Sequence, residues 1–172
     1  MARLLAGEPG GCAGLADGSD KWPAATIGAM LTISRDLLDR VIAHTRADHP
    51  DEACGVIAGK AGSDRPERLV AMTNAERSPT FYRFDSMEQL QVWRDMDDRD
   101  EEPVVIYHSH TATEAYPSRT DISYAMEPGA HYLLVSTREP DDTEVRSFRI
   151  LDGTVTEEQV RLTDSAGGMI ET

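Results

Sequence analysis

The stretch Pro103-Val104-Val105-Ile106-Tyr107-His108-Ser109-His110, with Ser118 and Asp121 just beyond it, decides how the chain is read. An apolar run opened by a proline reads as a buried strand. Side chains on a strand alternate between its two faces, so His108 and His110 project to the same side. With the residues that follow, the spacing is H-x-H-x7-S-x2-D. Two imidazoles and a carboxylate so spaced can hold one metal ion. Three protein ligands leave a fourth position open, which is the arrangement of a catalytic zinc rather than a structural one.

Each piece also has an ordinary explanation. A single histidine at a strand end is more often a hydrogen-bonded partner than a ligand. Ser118-Arg119-Thr120-Asp121 is a capping box of the S-x-x-D kind, with Ile122, Tyr124, Ala125 and Met126 as the first helical turn after it. The two readings coexist, because a helix start is a rigid place from which to aim a carboxylate.

Hydrolysis at such a site needs a base for the water proton and a donor for the developing oxyanion. Ser118 carries a hydroxyl beside the proposed ligands and is the candidate donor. The candidate base is Glu52, in Pro50-Asp51-Glu52-Ala53-Cys54-Gly55-Val56-Ile57-Ala58-Gly59. It stands at the entrance to a short apolar run, 54–58, that reads as a central strand. A carboxylate desolvated there has its pKa raised toward the range useful for moving protons. By residue type alone Glu52 is equally a solvated loop acid.

Glu52 followed by H-x-H-x7-S-x2-D resembles the pattern of the JAMM (MPN-plus) zinc metalloproteases, and Pro50–Gly55 and Tyr107–His110 look like that family too. Its members include deubiquitinating isopeptidases and bacterial hydrolases of ubiquitin-like sulfur carriers. Two further segments, 74–85 and 111–117, are similar to the actinobacterial members that release cysteine from a cysteine-loaded sulfur-carrier protein. The resemblance covers about residues 30 to 162. It implies that His108, His110 and Asp121 bind Zn2+, that Glu52 is general base and then acid, and that Ser118 steadies the oxyanion. It also implies an α/β sandwich like that of cytidine deaminases. No core position departs from the pattern, so the catalytically dead relatives are a poor model.

The 172 residues suffice for one domain with a real core. The net charge of −14 argues against nucleic acid, whose phosphates require clustered Lys and Arg. No apolar run reaches the length of a membrane span. Two cysteines, Cys12 and Cys54, make no disulfide framework, and a reducing cytoplasm is the simplest setting. Cys54 reads as a small buried apolar residue. Self-association into a homodimer stays open.

Residues 1–29, rich in Ala and Gly, read as a disordered extension in which only Trp22 is a candidate to dock, with Met30 a candidate initiator. Residues 30–163 form the domain and 164–172 a frayed tail. A strand at 30–33 precedes a helix capped by Ser34, with Leu37, Leu38, Val41, Ile42 and Thr45 on one face. His44 and His49 read as helix-surface and loop residues. Segments 68–72 and 80–84 read as strands. Asp85 or Ser86 caps a second helix whose Met87, Leu90, Trp93 and Met96 take core positions. Residues 95–102 form a solvated acidic run. Strands at 131–137, 144–151 and 154–162 follow, with an Asp152-Gly153 hairpin turn and a structural His131. Strands interspersed with helices give a mixed α/β class, a mixed sheet flanked by helices.

The leading function is a zinc hydrolase that cuts after the tail of a ubiquitin-like sulfur carrier, the tail docking beside a strand edge. The alternatives are an isopeptidase acting on another ubiquitin-like conjugate and a non-catalytic, metal-stabilised interaction module. A deaminase is disfavoured, because its H-x-E and P-C-x-x-C signature is missing.

Overall fold

The computed structural model describes residues 30–164; the expectations for 1–29 and for 165–172 lie outside the described residues. A seven-stranded mixed sheet forms the centre, in the order β1-β7-β6-β5-β4-β2-β3. Its strands are β1 (Met30–Ser34), β2 (Cys54–Lys60), β3 (Arg68–Met72), β4 (Glu101–His110), β5 (His131–Ser136), β6 (Glu144–Leu151) and β7 (Thr154–Thr163). The β1–β7 and β4–β5 ladders are parallel and the rest antiparallel.

Both faces are covered. Helix α1 (Arg35–Asp48) lays Leu37, Leu38 and Val41 on Ile57, Val105, Tyr107 and Leu133. Helix α2 (Ser86–Asp98) and the short α3 (Arg119–Tyr124) close the other face, where Trp93, Ile122 and Ala125 meet Val56, Ile106, Leu134 and Phe148. A strand covered on both sides needs apolar residues throughout, which is why β2 and the Val104–Tyr107 run of β4 show no alternation. Gly55 on β2 is obligatory: a Cβ there would overlap the Tyr107 ring, whose hydroxyl reaches His44 Nδ1 at 2.8 Å.

The ends of elements follow local chemistry. Ser34 caps α1 by accepting from the Leu37 N–H, and Asp85 caps α2 by accepting from Met87 and Glu88. Asp152 and Gly153 both take positive φ, 48° and 76°, and turn β6 into β7.

Several expectations are corrected. Segment 80–84 is a loop, with a single bridge between Asn74 and Phe84. The buried Asn74 side chain takes the place of a partner strand: its Oδ1 accepts from the Glu76 and Arg83 N–H groups, and its Nδ2 donates to the carbonyls of Glu52 and Phe81. On α2 only Met96 is fully buried. Met87 and Leu90 are 65% and 44% exposed, because they lie on the side of the helix that turns away from the sheet. Strand β2, by contrast, is paired on both sides, with β4 and with the edge strand β3, as the reading of a central strand requires. The acidic run 95–102 is shared between the end of α2 and the start of β4, where Glu101 pairs with Arg68. His44 is part-buried through its bond to Tyr107.

Candidate active site

The pleat of β4 turns His108 and His110 toward the α2 and α3 face, with their Nε2 atoms 3.2 Å apart. Asp121, in the first turn of α3, brings Oδ2 to 3.3 Å from His110 Nε2 and 3.5 Å from His108 Nε2. The carboxylate is held by the capping box. Ser118 Oγ accepts from the Asp121 N–H at 3.2 Å, and the Ser118 N–H donates to Asp121 Oδ2 at 2.6 Å. The atom that faces the histidines is therefore the atom the helix start grips.

These three atoms suit a cation. His110 Nδ1 is 2.9 Å from the Glu114 carbonyl, which can only accept. In the neutral ring the proton therefore sits on Nδ1, and the Nε2 lone pair points at the carboxylate and at His108. Lone pairs converging in a buried place repel unless a positive charge sits among them. Their separations match as well: a tetrahedral zinc with bonds of about 2.0–2.1 Å has ligand atoms about 3.3–3.4 Å apart. His108, His110 and Asp121 could thus hold one zinc ion. The His108 ring is stacked on Tyr82, with centroids 4.4 Å apart, and its Nδ1 has no hydrogen-bond partner among the described residues.

Glu52 is brought to the same place from the approach to β2. It is 5% exposed. Its N–H donates to the Ser78 carbonyl and its carbonyl accepts from Asn74 Nδ2, so the loop 74–84 fixes its backbone. Burial pushes its carboxyl up to about 7; the nearby His110 works against this and Asp121 with it. Burial also disfavours the charge on Asp121, and the Ser118 N–H donated to Oδ2 works against this. Burial lowers His108, favouring the neutral form that binds metal. Cys54 is buried on β2 with its thiol pushed well up by burial, so it is not a ready nucleophile.

The structure therefore brings Glu52, His108, His110, Ser118 and Asp121 together. Sequence reasoning gave no role to Tyr82, Asn74 or the Glu114 carbonyl. All three lie in the segments 74–85 and 111–117, whose family likeness was the only signal. Beside Glu52 opens a cleft of about 580 Å³, bordered by Met72, Thr73, Asn74 and Arg77 near the β3 edge and by His44 and Asp48 of α1.

Residues 34–151 match the family described as prokaryotic homologs of the JAB domain. The chain belongs to that family. Within this JAB, or JAMM, family it is 68% identical over 135 residues to the CysO-cysteine peptidase of Mycobacterium tuberculosis, covering 78% of this chain and 92% of that protein. It is 30% identical over 111 residues to a desampylase of Haloferax volcanii, covering 62% and 80%. The solution structure of a protein from Desulfitobacterium hafniense superposes with a TM-score of 0.69 at 32% identity, covering 80% of this JAB-domain chain and 94% of that one. Among the described residues no helix is long and apolar enough to cross a membrane.

Proposed function

We propose that the chain hydrolyses the amide bond between the C-terminal glycine of a ubiquitin-like sulfur-carrier protein and cysteine, releasing cysteine and regenerating the carrier. The observation that carries this reading is the meeting of His108, His110 and Asp121 beside a buried Glu52, in a chain 68% identical to a CysO-cysteine peptidase. Zinc, when bound by the two Nε2 atoms and Asp121 Oδ2, supplies Lewis acidity that acidifies water and polarises a carbonyl.

The protein groups do the rest. Glu52 takes a proton from the attacking water and delivers it to the amide nitrogen as the C–N bond breaks. The water oxygen ends in the glycine carboxylate, and the amine leaves as cysteine. A carboxyl lifted to about 7 gives and takes a proton with little cost at neutral pH. Ser118 Oγ accepts from the Asp121 N–H and keeps its own hydrogen for the oxyanion. The cleft beside the β3 edge offers an extended tail a place to lie as an added strand. The free, buried Cys54 suits a reducing cytoplasm.

The test is direct. Purified protein with zinc is incubated with a carrier–cysteine adduct, and the carrier mass is followed. The wild type removes one cysteine and Glu52→Ala does not. An uncleaved adduct, or cleavage unchanged in Glu52→Ala, would sink the proposal.

A further inference from the structure

The peptide unit between Glu114 and Ala115 is gripped at both ends. Its carbonyl accepts from His110 Nδ1 at 2.9 Å, and its N–H donates to Glu144 Oε2 at 3.2 Å. The gripping residues come from one rung of the sheet. His110 on β4 is the register partner of Ser136 on β5, and Ser136 is the partner of Glu144 on β6. Residues on one rung share a face. Ser136 adds a third tie, its Oγ donating to the Thr113 carbonyl at 2.6 Å. The loop 111–117 is thus lashed over the rung that carries the histidine.

A carboxylate that draws on a peptide N–H polarises the carbonyl of the same peptide, because hydrogen bonds in series reinforce one another. The Glu114 oxygen then holds the proton on Nδ1 more firmly and leaves the Nε2 lone pair free. Thr113 Oγ1, 3.1 Å from Nδ1, cannot do this alone, since a hydroxyl both donates and accepts. Metal-binding histidines are commonly oriented by a carboxylate or carbonyl on the second nitrogen. Here both are present, in series.

We infer that Glu144 is a positioning residue for the metal centre, acting on His110 through the 114–115 peptide. This rests on the reading of His110 as a zinc ligand. Three variants test it: Glu144→Ala, Glu144→Gln, and Glu139→Gln on an exposed loop as control. Zinc affinity is measured by competition with a chelator, and the hydrogen bond at His110 Nδ1 by the 1H shift of its ring N–H in zinc-loaded protein. Glu144→Ala should bind zinc about 10–100-fold more weakly, with the His110 Nδ1–H signal moved upfield as its hydrogen bond weakens. Glu144→Gln keeps the shape and loses the charge; it should shift both readouts the same way by less, and it decides the matter if Glu144→Ala does not fold. The control should match wild type. Wild-type affinity in both Glu144 variants overturns the inference, as does weaker binding with the His110 Nδ1–H signal unmoved. A wild type that binds no zinc overturns the functional reading and this inference with it; a zinc-binding wild type with unaffected variants overturns this inference alone.

Discussion

A carboxylate buried as deeply as Glu52 favours its protonated form, and only in the folded chain. In metal-stripped protein the consequence for stability has a definite sign. The folded value, about 7, lies above the ordinary value of 4.5. The contribution is therefore fully present below pH 4.5 and is lost as pH rises through 7. The loss should be about 3.5 kcal/mol at most, from roughly 1.4 kcal/mol for each pH unit separating the two values. Glu52→Gln cannot ionise, so wild type should lose stability relative to this variant over that interval and run parallel to it beyond. Urea unfolding at a series of pH values measures the difference. A constant difference would mean that Glu52 is solvated when the metal is removed.

Among the elements, the loop 74–84 depends on one side chain. Asn74 Oδ1 and Nδ2 make four bonds to the backbone of Glu52, Glu76, Phe81 and Arg83. Asn74→Ala leaves buried polar groups without partners and should cost about 2–4 kcal/mol, taking roughly 1 kcal/mol for each bond. The carrier–cysteine assay should fall as well, since the same side chain ties down the Glu52 carbonyl. Denaturant melts and initial rates check the two effects.

This loop also marks where sequence stops informing on structure. The strands around the site were readable because burial on two faces forces unbroken apolar runs, and α3 because Ser118 and Asp121 form a box with a fixed spacing. The segment 80–84 has the composition of a strand, yet its hydrogen bonds go to an amide side chain, which periodicity does not register. Helical spacing places Met87 and Leu90 on one stripe without saying whether anything covers that stripe. His108, His110, Ser118 and Asp121 were candidates by type and spacing, whereas Glu52 rested on the resemblance to the JAMM family. The Glu114 carbonyl was not, because every residue carries one and only the path of the loop gives it a task.

For the whole molecule, two apolar cores lie on opposite faces of the sheet, and the metal-ligand candidates add to neither. Metal-stripped protein should therefore stay folded. Zinc bound by the native state alone should add about 2.7 kcal/mol when free zinc is 100 times its dissociation constant. Asp121→Ala should remain folded and lose that increment, as followed by thermal unfolding with and without zinc. Collapse on stripping would instead identify the metal as structural. A last consequence follows from β3 standing outermost, with no strand beyond it among the described residues. An open strand edge welcomes any extended chain, including the same edge of another copy. With 31 acids against 17 bases, copies of this protein repel one another before their edges can meet. Net acidity of this size works against edge-to-edge association of copies while leaving the edge itself uncovered.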